Sequence, residues 1–449
     1  MHRRTVIRGL LVAVLLVSAG TLALGWETTP STTRAEVSFS ERDQIVPGRD
    51  AVTVITTDPP GWTSGTATLV AVTADGRTLY QNDTYGNYFD VDPDPPGSRT
   101  VLYVAGSRYE QCPTALEARS NETFDDGCAE VVVERANLST GDTETVHTAV
   151  TAGDVWHDVD RIDDDRLLVA DLSTDRVFVL DTSTDAIEWE WRAADDLDPD
   201  SGGQPDDWTH LNDVEALDDG RIMVSLRNQD RVVFLDPGNG LREGWTLGAE
   251  NAYGILYEQH NPDYVPPERG GPAVVVADSE NNRVVEYQYT EGQWRQVWTW
   301  RDDELRWPRD ADRLAGGHTL VTDSQGNRVI ELDENDEVVL RIDVPTPYEA
   351  ERLGTGDESA TGWSKTTLVN GTHPPSGADP ADRARHTGLA RIVAVLTGPV
   401  VNGLLYVAPA WMTLWDLVAA LVLGGTTLTW LLIELHWSRV RLQFLQELY

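Results

Sequence analysis

Three histidines and two polar neighbours are the residues of this sequence best suited to chemistry on an anion. His157 opens the segment HDVDRI, His210 and Asn212 lie in THLNDV, and His260 lies in EQHNPDYV. Arg227 lies in SLRNQD, within the predicted strand pair that follows THLNDV. A neutral imidazole is a nucleophile near pH 7, and amide and guanidinium groups donate hydrogen bonds to negatively charged oxygens. If these side chains met in the fold, they could bind an anionic ester and attack it.

An internal repeat indicates how residues so far apart could meet. RVFVLD begins at Arg176, RVVFLD at Arg231, RVVEYQ at Arg283 and RVIELD at Arg328, at intervals of 55, 52 and 45 residues. Each follows another alternating strand and a polar turn. A short segment such as DVDRIDDD precedes the pair, and a Trp-rich segment such as IEWEWR can follow it. Four antiparallel strands per unit at this period predict the blades of a β-propeller.

The whole repeat region predicts an all-β, six-bladed β-propeller over residues 45–355. TVLYVAGS from Thr100 and AEVVVERANLSTGD from Ala129 fit a further blade, TLVAVTADGRTLYQN from Thr68 fits half of another, and the chain ends complete the ring. The inner strand of each blade lines the central channel, so residues near the start of successive units converge on one axis. We therefore expect the histidines to share one mouth with Arg309, which lies in WPRDADRL.

Hydrophobic segments at both ends predict a membrane protein. Residues 1–30 form a signal or retained anchor helix, and residues 413–436 form a second transmembrane helix. A polar linker, 356–390, and an apolar interfacial segment, 391–412, join the propeller to the second helix. Arginines flank the outer ends of both helices, so both termini, including the tail 437–449, are expected in the cytoplasm. The propeller would then be extracellular, held at the cell membrane.

Composition restricts the environment and the partners. The formal net charge is -39, with 74 acidic and 35 basic residues, and Lys365 is the only lysine. An acid-rich, lysine-poor chain is typical of a halophilic protein, in which multimolar salt screens self-repulsion. Nucleic acid is excluded as a partner because phosphate binding needs clustered cations. Cys112 and Cys128 bracket a turn-rich loop without metal-ligand spacing and should form a disulfide outside the cell.

At the histidine motifs the sequence resembles a known family. HD in one unit, DWTHLND followed by SLRNQDRV in the next and QH after that are similar to the arylsulfotransferase (ASST) family, over roughly residues 65–355. The chain looks like a haloarchaeal-type, membrane-anchored member of these PAPS-independent enzymes. The resemblance implies a six-bladed propeller that transfers a sulfuryl group from an aryl sulfate to a phenol through a sulfohistidine, without a cofactor.

The resemblance also implies roles for individual residues. His260 occupies the position of the nucleophile. His210, Asn212 and Arg227 match residues that bind the sulfuryl oxygens, and His157 matches the remaining channel histidine. The transferring group spreads negative charge over its oxygens, so donors aimed at those oxygens stabilise the transition state.

Other interpretations remain open from the residues alone. The family uses a channel lysine, whereas Lys365 lies beyond the last predicted blade, and Arg309 is the alternative substrate-binding cation. The three histidines could instead satisfy buried carbonyls, or hold zinc or copper, although no metal is expected from the spacing. His318, one strand later in its unit, is expected to be structural. Arg227 taken alone fits a solvated turn. A non-catalytic propeller that binds a ligand or a surface protein is the alternative function, and a quinone-dependent oxidoreductase is a third.

Overall fold

The computed structural model describes residues 2–28, 36–38, 51–58, 67–120, 123–205, 207–354, 362–369, 398–408, 412 and 414–446. Six antiparallel sheets make up most of this part of the chain, and each sheet is one blade of a β-propeller. The predicted all-β, six-bladed fold is thereby confirmed. The chain divides into two compact units, residues 32–402, which contain the propeller, and residues 1–31 together with 403–449.

The first three blades contain four strands each, which follow one another from the axis outward. Blade 1 consists of β26 (Pro347–Arg352), β2 (Val52–Thr57), β3 (Leu69–Thr73) and β4 (Thr78–Asn82). Blade 2 consists of β5 (Asn87–Pro93), β6 (Thr100–Tyr109), β7 (Cys128–Asn137) and β8 (Thr143–Thr151). Blade 3 consists of β9 (Asp158–Arg161), β10 (Arg166–Asp171), β11 (Arg176–Asp181) and β12 (Ala186–Arg192).

The other three blades follow the same order with two local additions. Blade 4 consists of β13 (Leu211–Ala216), β14 (Ile222–Leu226) and β15 (Arg231–Asp236), and the short β16 (Gly240–Leu241) and β17 (Leu247–Gly248) both pair with β15. Blade 5 consists of β18 (His260–Val265), β19 (Ala273–Asp278), β20 (Arg283–Thr290) and β21 (Gln293–Trp300). Blade 6 consists of β22 (Pro308–Arg313), β23 (Thr319–Asp323), β24 (Arg328–Leu332), β25 (Val338–Asp343) and β1 (Glu36–Ser38).

Strands from opposite ends of the propeller sequence close the ring. The last strand, β26, pairs with β2 in blade 1, with Thr53 opposite Arg352 and Ile55 opposite Ala350. This is the predicted pairing of the first and last strands. In addition, β1 pairs with β25, so one strand of the propeller lies ahead of the predicted start at residue 45. A three-residue strand carries too little pattern to be recognised in the sequence.

The core consists of six apolar layers, one between each pair of adjacent blades. In one such layer, Phe178 of blade 3 packs with Val131 of blade 2. Both faces of a sheet are therefore covered by neighbouring sheets. This explains why β15 has the continuous apolar run VVFL and not a strict alternation of apolar and polar residues.

The polar turns of the repeat end in residues suited to a left-handed backbone. Short 3-10 helices follow the second strand of blades 3, 4 and 5, and the next residue has a positive φ in each case: Asp175 (50°), Asp230 (53°) and Asn282 (48°). Asp and Asn adopt this conformation more readily than other non-glycine residues because their short polar side chains bond locally. The remaining 3-10 helices are Ala193–Asp195, Glu243–Trp245, Pro267–Arg269 and Ala315–Gly317.

In the part of the chain that the structure describes, three short α-helices lie outside the strands. The loop between β6 and β7 contains α2 (Thr114–Ser120) and the disulfide between Cys112 and Cys128. Of the predicted linker 356–390, only residues 362–369 are described, and they include α3 (Lys365–Val369). Within the predicted interfacial segment, α4 (Pro399–Tyr406) is described, and Asn402 Nδ2 donates to Glu280 Oε2 at 3.0 Å.

The smaller unit consists mainly of two long apolar helices. These are α1 (His2–Thr28) and α5 (Leu414–Gln446), and each contains a stretch long and apolar enough to cross a membrane. Arg8 Nε donates to Glu434 Oε1 at 2.5 Å, and Gly25 abuts Asp416. Contacts between the start of one helix and the end of the other show that α1 and α5 pack antiparallel. The helix α5 continues past the predicted span into the predicted tail.

Candidate active site

The six inner strands β26, β5, β9, β13, β18 and β22 share a short sequence pattern where they begin. In five blades a chemically distinctive residue is followed at once by a carboxylic acid; the pairs are Phe89-Asp90, His157-Asp158, Asn212-Asp213, Arg309-Asp310 and Tyr348-Glu349. In β18 the corresponding run is HNPD, from His260 to Asp263. The first members of these pairs and His260 form one group at this end of the propeller, which we call the site face. These residues, with His210 and Arg227, surround the mouth of the channel.

Backbone bulges near the start of the inner strands place these residues off the regular ladder. The register shifts between Leu211 and Asp213 in β13, and between Pro308 and Asp310 in β22. Asn212 and Arg309 are the extra residues at these two positions. A bulge redirects a side chain without ending the strand, and bulges are common next to functional sites.

The acids form a second layer, the carboxyl tier, made of Asp90, Asp158, Asp213, Asp263, Asp310 and Glu349. Five of the six accept a hydrogen bond from a backbone N–H of the next inner strand; for example, Val214 N donates to Asp158 Oδ2 at 2.8 Å. The link from β13 to β18 is made by Glu215, which accepts from Tyr264 N at 3.1 Å. Carboxyl groups therefore join all six inner strands around the axis.

The tier is buried, and burial raises the pKa of its acids. The pKa of Asp158 and that of Asp263 reach about 7, and that of Asp310 reaches about 6. The charged form of a carboxyl group is disfavoured in a poorly solvated interior. These acids are therefore mostly protonated under mildly acidic conditions.

The structure brings the three predicted histidines together above the tier. The ring centroids of His157 and His210 lie 5.6 Å apart. Tyr348 lies between His157 and His260, at 6.2 Å from the first ring and 6.3 Å from the second. The predicted convergence at one mouth is therefore what the structure shows.

His260 is held as a neutral imidazole with a defined tautomer. Its Nδ1 lies 2.8 Å from Ser279 Oγ, and the Ser279 hydroxyl donates its single proton to Pro308 O at 2.7 Å. Ser279 Oγ must then accept from Nδ1–H, which leaves the lone pair on Nε2. Burial, and next the positive charges of Arg227 and Arg309, hold the pKa of His260 well below its usual value.

The other two histidines are oriented in the same way. His157 Nδ1 lies 3.1 Å from Val155 O, and His210 Nδ1 lies 2.9 Å from both carboxylate oxygens of Asp207. The carbonyl of Val155 and the carboxylate of Asp207 can only accept a hydrogen bond, so each histidine must hold its ring proton on Nδ1. Burial lowers the pKa of His157 to about 4, so this ring is neutral at pH 7.

Two arginines supply positive charge to the mouth. Arg227 forms an ion pair with Glu258, and its side chain is 17% exposed, so it is not the solvated turn residue of the alternative interpretation. Arg309 lies 3.5 Å from Asp58 and places its guanidinium over the rings of Trp307 and Tyr348. The Nε atoms of both arginines are buried and have no acceptor among the described residues. These donors could bind oxygens of an anion.

Asn212 connects the mouth to the segment that carries His260. Its Nδ2 donates to Gln259 O at 3.2 Å, one residue before His260. Its side-chain oxygen is buried and has no donor among the described residues. In the described structure one of the two N–H donors of Asn212 Nδ2 therefore holds the backbone next to the nucleophile candidate.

Several residues at the mouth were missed from the sequence. Tyr348 and Phe89 have their rings 5.0 Å apart, and Phe89 stacks on His157 with a centroid distance of 4.2 Å. FDVD and YEAE repeat the spacing of HDVD, so the inner-strand pattern could have identified both. Ser279 carried no such signal, because it meets His260 only through the tertiary fold.

Lys365 and His318 lie away from the mouth. Lys365 Nζ donates to Asp336 at 2.6 Å, and its backbone N–H donates to Glu286, near the ends of the inner strands opposite the site face. His318 Nδ1 lies 2.7 Å from Glu331 Oε1. The only lysine is thus fixed at the opposite face of the propeller.

Metal binding was the other chemistry open to the histidines. Within the described residues, no three His, Cys, Asp or Glu side chains are grouped so that they could hold a metal ion. The geometry of the mouth instead favours an anion, since two guanidinium groups have free donors there.

Comparison with protein families agrees with this geometry. Residues 157–344 match the family model described as Arylsulfotransferase (ASST). The match supports the ASST family for blades 3 to 6 and includes every residue for which a catalytic or substrate-binding role was predicted. It suggests a transferase. No curated protein matches the sequence as a relative.

Solved structures similar to this chain are propeller proteins of low sequence identity. A protein of unknown function from Bacteroides caccae is 9% identical, with a TM-score of 0.47 over 68% of this chain and 99% of its own. The periplasmic gluconolactonase of Pseudomonas aeruginosa is 16% identical, with a TM-score of 0.42 over 68% of this chain and 99% of its own. Virginiamycin B lyase from Staphylococcus aureus is 9% identical, with a TM-score of 0.36 over 70% of this chain and 88% of its own. Such remote similarities do not bear on function.

Proposed function

We propose that this protein is an ASST-like enzyme that transfers a sulfuryl group from a phenolic sulfate ester to a phenolic acceptor. The observation that carries the proposal is the state of His260. Its ring is neutral, its Nδ1–H is fixed by Ser279, and its pKa is lowered by burial and by two nearby guanidinium groups. A fixed lone pair beside cations suits attack on an anionic ester.

The first half-reaction forms a sulfohistidine. The lone pair of His260 Nε2 attacks sulfur, the bond between sulfur and the aryl oxygen breaks, and its electron pair leaves with that oxygen. Arg227 and Arg309 stabilise the charge that develops on the sulfuryl oxygens. In the second half-reaction the acceptor phenol gives up its proton as its oxygen attacks sulfur, and the electron pair of the N–S bond returns to Nε2. Over the cycle this proton balances the one that the released phenolate takes up.

The decisive experiment is sulfate transfer by the full-length protein in detergent and multimolar salt. With 4-nitrophenyl sulfate as donor, we expect release of 4-nitrophenol and a covalent sulfate on His260, detected by intact-protein and peptide mass spectrometry. His260→Ala should abolish both signals. His147→Ala is the matched control, because His147 lies on the outer strand β8, stacked on Trp156. Tight binding of aryl sulfate without turnover or covalent sulfate in the wild type would support the non-catalytic alternative instead.

We further propose that the protein works in the cell membrane of a halophile, with its propeller outside and both termini in the cytoplasm. The antiparallel pairing of α1 and α5 supports placing both termini on one side. Protease added to intact cells should then remove the propeller, while tags on both termini stay protected. Digestion of either tag from outside would contradict this orientation.

A further inference from the structure

Tyr348 is a buried tyrosine at the mouth, beside the predicted histidines. It is the second residue of β26, and its ring lies between those of His157 and His260. The guanidinium of Arg309 lies 4.5 Å from its ring centroid. The side chain is 2% exposed, and its hydroxyl has no hydrogen-bond partner among the described residues.

An unpaired buried hydroxyl is unusual, because such a group loses its hydrogen bonds to water and gains none in the protein. Tyr103 shows the common arrangement in this protein, since its buried hydroxyl donates to Glu134 Oε2 at 2.5 Å. The Tyr348 hydroxyl differs in having no such partner, and its ring lies beside those of His157 and His260 and under the guanidinium of Arg309. Its position suits a hydrogen bond to a ligand in the mouth.

The proposed reaction needs a proton donor that the other mouth residues do not supply. The three histidines hold their ring protons on Nδ1, in bonds to Ser279, Val155 and Asp207. Arginine does not give up its proton in proteins. Lys365 is fixed at the opposite face. Five carboxyl groups of the tier are engaged with the adjacent inner strands, and the sixth, Asp213, is hydrogen-bonded to Asp158.

We propose that the Tyr348 hydroxyl is the general acid and base of the transfer reaction, an inference that rests on the proposed function. As the bond between sulfur and the donor oxygen breaks, the proton of Tyr348 Oη moves to that oxygen, and a neutral phenol leaves. The resulting Tyr348 phenolate then takes the proton of the acceptor phenol while the acceptor oxygen attacks sulfur. Each cycle restores the tyrosine and His260.

The chemistry of a phenol suits both half-reactions. A positioned phenol can give a proton to a leaving phenolate and take one back from an acceptor phenol, since each exchange only passes a proton between phenolic oxygens. Burial raises the pKa of Tyr348 well above its usual value, which keeps the hydroxyl protonated before the reaction. The adjacent Arg309 stabilises the phenolate that forms in between.

The test uses full-length Tyr348→Phe and a series of aryl sulfates with different leaving groups. Rates of sulfohistidine formation are measured in single-turnover, quenched reactions. We expect Tyr348→Phe to slow transfer from phenyl sulfate by about 10²–10³-fold. Transfer from 4-nitrophenyl sulfate should change by only a few fold, because 4-nitrophenolate leaves readily without a proton. The rate of the variant should thus depend more steeply on leaving-group pKa.

Tyr289→Phe is the matched control, since it makes the same chemical change on blade 5, where the hydroxyl donates to Gly244 O. If Tyr348→Phe slowed transfer from all aryl sulfates by the same factor, the role of Tyr348 would be overturned and the proposed function would remain intact. Absence of covalent sulfate in the wild type would instead overturn the proposed function. A second measurement needs no variant: the solvent deuterium isotope effect of the wild type should be larger for phenyl sulfate than for 4-nitrophenyl sulfate. Equal isotope effects would also overturn the role of Tyr348.

Discussion

The mouth and the carboxyl tier are built from adjacent residues on the same strands, yet their chemistry is opposite. His157 and Asp158 are neighbours in sequence and both are buried. Burial lowers the pKa of His157 to about 4 and raises that of Asp158 to about 7. One physical cause, the loss of solvation of the charged form, therefore makes both groups neutral over the same range of pH.

The difference between the two layers lies in what their polar atoms bind. Tier carboxyls accept backbone hydrogen bonds from the adjacent inner strands and so join blades around the axis. At the mouth, the Nε of Arg309 and the hydroxyl of Tyr348 have no partner among the described residues. Two tier oxygens, on Asp213 and Asp263, also have no partner among the described residues, but the unpaired groups of the mouth are N–H and O–H donors, which suit an anionic ligand. The following predictions test this division.

The largest effect is expected from removing a cation of the mouth. Arg227→Met should lower sulfate transfer by about 10²–10³-fold, the usual cost of losing one donor to a developing anion. Its melting temperature should stay close to that of the wild type. Arg242→Met is the matched control, because Arg242 is another arginine of the blade 4 segment with its guanidinium near a tryptophan ring, at 5.7 Å from Trp245. A similar loss of turnover in both variants would mean that Arg227 has no specific role.

The second prediction concerns the tier and the dependence of stability on pH. The pKa of Asp263 is about 7 in the folded protein, above its unfolded value, so the folded state binds more protons. The stability gained in this way is complete below about pH 4 and is lost as the pH rises through 7, up to about 4 kcal/mol. Asp263→Asn keeps an acceptor for Arg313 N and should flatten this loss.

At the mouth, the dependence of stability on pH should have the opposite sign. The pKa of His157 is lowered to about 4, so its contribution to stability is present above about pH 6.5 and is lost as the pH falls toward 4. His157→Gln should therefore flatten the acidic side of the profile, and Asp263→Asn the neutral side. Thermal unfolding at constant salt between pH 4.5 and 8 measures both. If the variants' profiles of melting temperature against pH stayed parallel to that of the wild type, burial would not be what sets these pKa values.

The disulfide lies outside both layers and should affect stability alone. Cys112 and Cys128 are 16 residues apart, and closing a loop of this size stabilises a protein by about 3 kcal/mol. Replacing both with serine should lower the melting temperature and leave sulfate transfer unchanged below it. Loss of turnover without a loss of stability would assign this loop to the site.

The smallest effect is expected at the only lysine. Lys365→Met removes a hydrogen bond to Asp336 at the opposite face and should cost about 1 kcal/mol of stability. Sulfate transfer should stay at the wild-type rate. A marked fall in turnover with an unchanged fold would place the lysine in the reaction, contrary to its position in the structure.

Most of the fold was predictable because similar strand segments recur at the interval expected for the blades of a β-propeller. RVFVLD and its counterparts mark the third strands of blades 3 to 6, and blades 1 and 2 were recognised from weaker alternation. The strand Glu36–Ser38 could not be predicted, since three residues carry no periodic signal. The extension of α5 to Gln446 was also not apparent, because the hydrophobic pattern marks where a span ends and not where its helix ends.

The candidate site was predictable to the extent that its residues repeat in register. His157, His210 and His260 were found because a rare residue type recurred at equivalent places. Tyr348 shares that register but not the residue type, so it was missed. Ser279 lies in a turn after β19 and reaches His260 only when blade 5 is folded. Partners that meet through tertiary contacts leave no local signal in one sequence.

Blade 1 combines strands from the start of the propeller sequence with one from its end, and this determines when the blade can be completed during biosynthesis. The strand Val52–Thr57 is made early, but its neighbour on the axial side, Pro347–Arg352, is among the last parts of the propeller to be translated. Until then the early strand has an open edge, which is prone to pair with other chains. The nascent protein must therefore be kept from aggregating until nearly all of it has emerged, and a chain truncated before Pro347 should be cleared and not accumulate as a five-bladed product.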